Sequence, residues 1–107
     1  MIKQAAINAS ANGDNQLVAG VAGLRIRVVN FVLYPAAGVT AKLTDGPAGA
    51  NLTGPMVRGT SGLYPGWAGL DMDGWSGHFE TSQGNDLTLN LNAGTQVGGY
   101  VNYVLVK

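Results

Sequence analysis

The sequence predicts an all-β protein, an antiparallel β-sandwich of seven to eight strands, and three observations carry that prediction. Clusters of turn-forming residues recur roughly every ten positions: Asn12-Gly13-Asp14-Asn15, Ala22-Gly23, Pro35 to Gly38, Asp45-Gly46-Pro47, Gly59 to Gly62, Gly74, Gln83-Gly84-Asn85 and Ala93-Gly94. The runs between them alternate apolar and polar residues with a period of two, which places successive side chains on opposite faces of a strand. No helical period persists anywhere in the chain. Short strands at this spacing fit a jelly roll or an immunoglobulin-like sandwich.

Taken in order, the predicted strands are Ile2 to Ala9 (the weakest), Gln16 to Val21, Leu24 to Tyr34, Val39 to Thr44, Pro55 to Arg58, Gly77 to Thr81, Asp86 to Asn92 and Val97 to Val106. The clearest alternation sets Leu87, Leu89 and Leu91 toward a core, with Thr88, Asn90 and Asn92 on the other face. Leu24, Ile26 and Val28 oppose Arg25 and Arg27 in the same way. From Val28 to Leu33 both faces turn apolar except at Asn30, as expected of a strand in the middle of the sandwich or beneath a neighbouring subunit. The last strand sets Tyr100, Asn102 and Val104 against Val101, Tyr103 and Leu105. Tyr64 to Trp75 holds both tryptophans with little alternation and reads as a long loop, a kind of segment that is usually functional.

Composition narrows the function. A chain of 107 residues suits one domain, residues 1–107, and 46% hydrophobic residues can supply its core despite seventeen glycines. Only 11% of residues are charged, Glu80 is the sole glutamate, and six basic side chains balance six acidic ones. A nucleic-acid partner is therefore not expected, because phosphate binding needs a net basic face. A neutral, charge-poor surface favours association instead. The strands that are apolar on both faces call for cover, so a closed homo-oligomer is expected. Without cysteine the chain has no disulfides or thiolate metal sites. Residues Met1 to Asn12 lack the pattern of a secretory signal, and no run is long and apolar enough for a membrane helix. The glycosylation-type triplets Asn8-Ala9-Ser10 and Asn51-Leu52-Thr53 accordingly carry no weight.

Candidate chemistry is sparse. The only histidine, His78, has no nucleophile elbow to serve, and a structural or surface role is expected for it. Asp71, Asp73 and Glu80 could supply a glycosidase pair only if folding brought two of them face to face, so no enzyme is expected. Asp71-Met72-Asp73-Gly74 opens like a calcium loop, but Ser82 stands where the bidentate glutamate belongs, and a turn bonded to its own backbone is the preferred reading. No metal or cofactor is expected. Trp67, Trp75, Tyr64 and Tyr34 could form a stacking platform for sugars, although anchoring a subunit interface is the favoured role for such aromatics. Arg25 and Arg27 share one strand face, where a solvated face and a contact with a partner's carboxylates stand level. The interface candidates are therefore Arg25, Arg27, Tyr64, Trp67 and Trp75.

Several segments in order carry a resemblance: Gly13-Asp14-Asn15, Leu17-Val18-Ala19, Gly23-Leu24-Arg25-Ile26-Arg27-Val28, Leu52-Thr53-Gly54-Pro55, His78-Phe79-Glu80-Thr81, Leu87-Thr88-Leu89-Asn90-Leu91 and Val97-Gly98-Gly99-Tyr100. From Gly13 to its end the chain resembles the small head decoration, or cement, proteins of tailed bacteriophages. Tyr64 to Gly74 is longer than the family pattern. The resemblance implies a jelly-roll-like fold and a homotrimer bound to the major capsid protein. It places the protein on the outer surface of the virion, after synthesis in the host cytoplasm. A carbohydrate-binding module, or a β-sandwich associated with a fibre or tail, is the alternative, with a glycan as its ligand.

Overall fold

The computed structural model describes residues 2–58, 64–67 and 79–107, with the backbone alone at Arg58 and at 64–67. Nine strand segments and no helix are found among them: β1 (Lys3–Ala9), β2 (Gly13–Val18), β3 (Arg25–Pro35), β4 (Val39–Asp45), β5 (Met56–Arg58), β6 (Tyr64–Trp67), β7 (Phe79–Glu80), β8 (Leu87–Leu91) and β9 (Val97–Val106). They form two sheets, both antiparallel. One runs β1-β9-β3, with β6 and β7 on the far edge of β3, and the other runs β2-β8-β4-β5.

Both sheets contribute to one hydrophobic cluster. Ile7, Ile26, Val28, Phe31, Leu33, Val97 and Val101 come from the first, and Val18, Val39, Ala41, Leu43, Leu87, Leu89 and Leu91 from the second. Removing one such leucine or isoleucine side chain from water contributes about 1.5–3 kcal/mol, and the alternation read in β8 supplies Leu87, Leu89 and Leu91 to this cluster. Phe79 packs on the cluster from β7, its ring centroid 6.4 Å from that of Phe31.

The doubly apolar stretch of β3 has a local cause that sequence alone did not disclose. Val28 pairs with Tyr103 and Asn30 with Asn102, so Val29 is an extra residue, a β-bulge. The bulge moves the alternation by one position. Ile26 and Val28 face the core before it, and Phe31, Leu33 and Pro35 are the buried positions after it. The run Val28 to Leu33 therefore records a change of phase, and no neighbouring subunit is needed to explain it. A second irregularity, at Leu17, lets β2 place Val18 opposite Leu87.

Other differences are also local. Strand β2 begins at Gly13, inside the stretch expected to turn: Gly13 adopts φ +101° and pairs with Leu91, and Asp14 pairs with Asn90. The first four residues of the expected loop Tyr64 to Trp75 are strand β6, paired with Leu33 to Asn30. Strand β7 continues the same edge, Phe79 opposite Val28 and Glu80 opposite Arg27. Segments β6 and β7 thus lie in line along β3, with only the bulge residue Val29 between their partners. At Thr81 a side chain extends the ladder: its hydroxyl accepts from Ile26 N at 2.9 Å while its own N–H donates to Ile26 O.

Thr88, expected opposite the core leucines, does face away from them but is buried. The turn after β4 reaches back over that face, since Ala48 N donates to Asp14 Oδ2 on β2, on the far side of β8. Thr44 satisfies its hydroxyl by donating to Gly46 O, but Thr88 Oγ1 has no partner among the described residues. Replacing Thr88 with valine keeps the shape and removes a buried, unpaired hydroxyl. Thr88→Val is expected to raise stability by about 1 kcal/mol in urea unfolding, and a loss of that size would mean that the hydroxyl is bonded in solution.

One end of the molecule is tied by two aspartates. Asp45, at the end of β4, accepts from Ser82 N (2.9 Å), Ser82 Oγ (2.7 Å) and Asn85 Nδ2 (3.1 Å). Asp86 accepts from Gly20 N (2.7 Å) and Gln16 Nε2 (3.0 Å). Burial pushes the Asp45 carboxyl up, but the Ser82 and Asn85 hydrogen bonds and the nearby Arg25 charge together hold it below its ordinary value. The Gly20 and Gln16 bonds do the same for Asp86. A carboxylate lowered in the folded state stabilises the fold above its unfolded pKa, and that contribution is lost as the pH falls through the folded one. The urea midpoint is therefore expected to drop as the pH falls below about 4. The double variant Asp45→Asn, Asp86→Asn should start lower at pH 5 and lose less, whereas an equal loss in both proteins would exclude these two groups as the cause.

Candidate interaction face

The two sheets present outer faces of different character. On the second sheet Asp14, Asn90 and Lys42 form one cross-strand row and Gln16, Thr88 and Thr44 the next, a polar face tied together by the bond from Asn90 Nδ2 to Asp14 Oδ1. On the first sheet the register builds three rows without a charge. These are Gln4, Asn102 and Asn30; Ala6, Tyr100 and Val32; and Asn8, Gly98 and Tyr34. Their inward neighbours Ile7, Val101, Phe31 and Leu33 are buried, which fixes the direction of each row.

Tyr34 is 53% exposed and Tyr100 38%. Gly98 stands directly opposite Tyr34, so Tyr100, two residues on, is its diagonal neighbour, about 7–8 Å away at the backbone. Asn102 Nδ2 donates to Asn30 Oδ1 at 2.7 Å. That bond orients both amides and leaves Asn30 Nδ2 and Asn102 Oδ1 without a partner among the described residues. Gln96 Nε2 donates to Asn8 Oδ1 at 2.6 Å at the margin of the same face. No cavity opens among the described residues.

Beyond the asparagine row lies the arginine pair. Arg27 donates to Glu80 Oε1 through Nη2 (3.0 Å) and Nε (3.3 Å), and Arg25 Nε lies 3.6 Å from Glu80 Oε2. The sole glutamate thus stands between two guanidinium groups, which leaves one unit of positive charge locally. Each of the three side chains is about a third exposed or more, so these pairs contribute at most about 1 kcal/mol each.

Of the sequence-nominated residues, the first sheet brings together Arg25 and Arg27 on β3 and, on the adjoining edge strand, the backbone of Tyr64 and Trp67, which pair with Leu33 and Asn30. Trp75, with Asp71, Asp73 and His78, lies outside the described residues. The metal-loop reading therefore falls there too, and no cluster of metal-ligating side chains occurs among the described residues. Sequence reasoning placed Tyr100 and Asn102 on one face of the last strand but did not single them out, nor Asn30 and Gln4. The signal was present in the alternation of β9, but only the register with β1 and β3 joins these residues into a surface. No protein-family model, curated protein or solved structure matches the chain.

Proposed function

We propose that the chain is a structural virion subunit without catalytic activity, a decoration or cement protein of a tailed-bacteriophage head. It works as a homotrimer bound to the major capsid protein on the outer surface of the shell. The observation that carries the proposal is the nesting of the strands. First pairs with last (β1 with β9), second with second-last (β2 with β8), third with the interrupted edge strand (β3 with β6 and β7), and β4 with β5. Successive pairs then fall alternately into the two sheets, β1-β9-β3-β6 and β2-β8-β4-β5. This nesting supports reading the sandwich as a jelly roll, an architecture frequent in viral shells. Fold alone does not fix function, and the neutral, charge-poor sequence and the resemblance supply the rest.

The mechanism is linkage. A subunit that binds the assembled shell but not its dissociated parts shifts the equilibrium toward the shell by mass action, and symmetry-repeated contacts add avidity. The test is to add the purified protein to particles that lack it and image them. Density on the outer surface, with a rise in the temperature at which the particles open, is expected, and unaltered particles would overturn the proposal. Light scattering on a sizing column should return three times 11.0 kDa, or 33 kDa, for the free protein. A monomer mass at micromolar concentration would remove the homotrimer.

A further inference from the structure

The outer face of the first sheet carries three cross-strand rows without a charge. We propose that they form a binding site for a neutral, polyhydroxylated ligand, an uncharged glycan. This goes beyond the decoration reading and does not depend on it.

The chemistry of the face selects the class. Its hydrogen-bonding groups are the amides of Gln4, Asn8, Asn30 and Asn102 and the phenols of Tyr34 and Tyr100, with Val32 among them. An amide donates and accepts in one plane, which matches neighbouring hydroxyls of a sugar ring. The bond between Asn102 and Asn30 holds side by side a donor and an acceptor that have no partner among the described residues, ordered before any ligand arrives. Tyrosine offers an apolar ring with a polar tip, suited to a molecule whose C–H faces and hydroxyls alternate. The two exposed rings stand as diagonal neighbours on one face of the sheet. Charge agrees: no acidic or basic side chain stands in the three rows, so they offer neither a polyanion nor a cation an ionic partner of their own.

A second copy of the chain fits less well. Permanent protein interfaces resemble a hydrophobic core cut in half, whereas amides fill one of the three rows of this face and Asn8 stands in another. Covering them with an apolar partner would leave buried polar groups unpaired, which is costly. A polyol satisfies them.

The test is nuclear magnetic resonance titration of the isotopically labelled full chain. The probes are soluble neutral glucose and N-acetylglucosamine hexasaccharides, with a sulfated polysaccharide for contrast. Perturbations confined to the side-chain amides of Asn30 and Asn102 and to the strands around Tyr34 and Tyr100 are expected with a neutral probe only. Tyr34→Ala and Tyr100→Ala should each weaken binding about tenfold or more, whereas Lys42→Ala on the opposite sheet should not. Should Tyr100→Ala fail to fold, the more exposed Tyr34 decides alone. The absence of perturbation by both neutral probes at millimolar concentration overturns the proposal, as does equal binding by the Tyr34 variant. Conversion of an oligomer to monomers by a tyrosine substitution also overturns it, because the face would then be a contact between copies. Occupancy of Tyr34→Ala on particles separates the two readings: a variant that decorates normally but has lost the sugar leaves the decoration role standing.

Discussion

Replacing Leu89 with aspartate is expected to leave the chain largely unfolded at room temperature. Leu89 is fully buried at the centre of β8, paired with Asn15 on one side and Leu43 on the other, and it belongs to the cluster shared by both sheets. Truncating such a leucine costs about 2–5 kcal/mol through lost burial and the cavity left behind. A carboxylate without a partner adds its own desolvation penalty. The sum is about 5 kcal/mol or more, comparable with the whole stability of a typical small domain. Leu89→Met keeps the volume and should cost less than about 1.5 kcal/mol. Circular dichroism with urea unfolding checks both, and a wild-type midpoint for the aspartate variant would place Leu89 outside the core.

A contrast between neighbours is expected at Gly98 and Gly99. Gly99 lies on β9 between the buried residues Ile7 and Leu33 of the flanking strands and adopts φ +135°. A methyl group there would be built into the carbonyl of Val32, which is backbone in a central strand and cannot turn aside. Gly99→Ala combines that collision with a conformation that L-residues rarely adopt, and a loss of about 3 kcal/mol is expected. Gly98 points to the outer face, where the nearest atom to an added methyl is Ile7 O at 4.0 Å. Gly98→Ala should change stability by less than about 1 kcal/mol. Equal unfolding midpoints for the two variants would show that β9 can slide away from β3.

The sheets were legible where burial on one side imposes a clean period of two. In β8 and in Arg25 to Val28 the alternation alone identified the core face, and β9 runs between the boundaries read from the sequence. What could not be read depends on partners distant in sequence. The bulge at Val29 is visible only once Tyr103 and Asn102 are known to be its neighbours. Before that, two apolar faces and a change of phase produce the same letters. Strand β6 was hidden in an apparent loop because Tyr64-Pro65-Gly66-Trp67 has poor strand propensity and is held by pairing with β3. The burial of Thr88 follows from a turn folding back to Asp14, again a long-range event. The candidate face shows the same limit, with Tyr34, Tyr100, Asn30 and Asn102 drawn from two strands that are far apart in the chain but adjacent in the sheet.

The interruption of the edge strand has a practical consequence for grafting. Trp67 and Phe79 pair with Asn30 and Val28, so the two ends that flank residues 68–78 are held across a single residue of β3. The distance that any intervening sequence must span is therefore set by β3 and not by its own length. Closing a flexible loop costs only about 0.6 kcal/mol more for each doubling of its length. Foreign peptides spliced between residues 68 and 78 should leave the pairing on both sides in register, making that point of the edge a port for displayed epitopes or affinity tags.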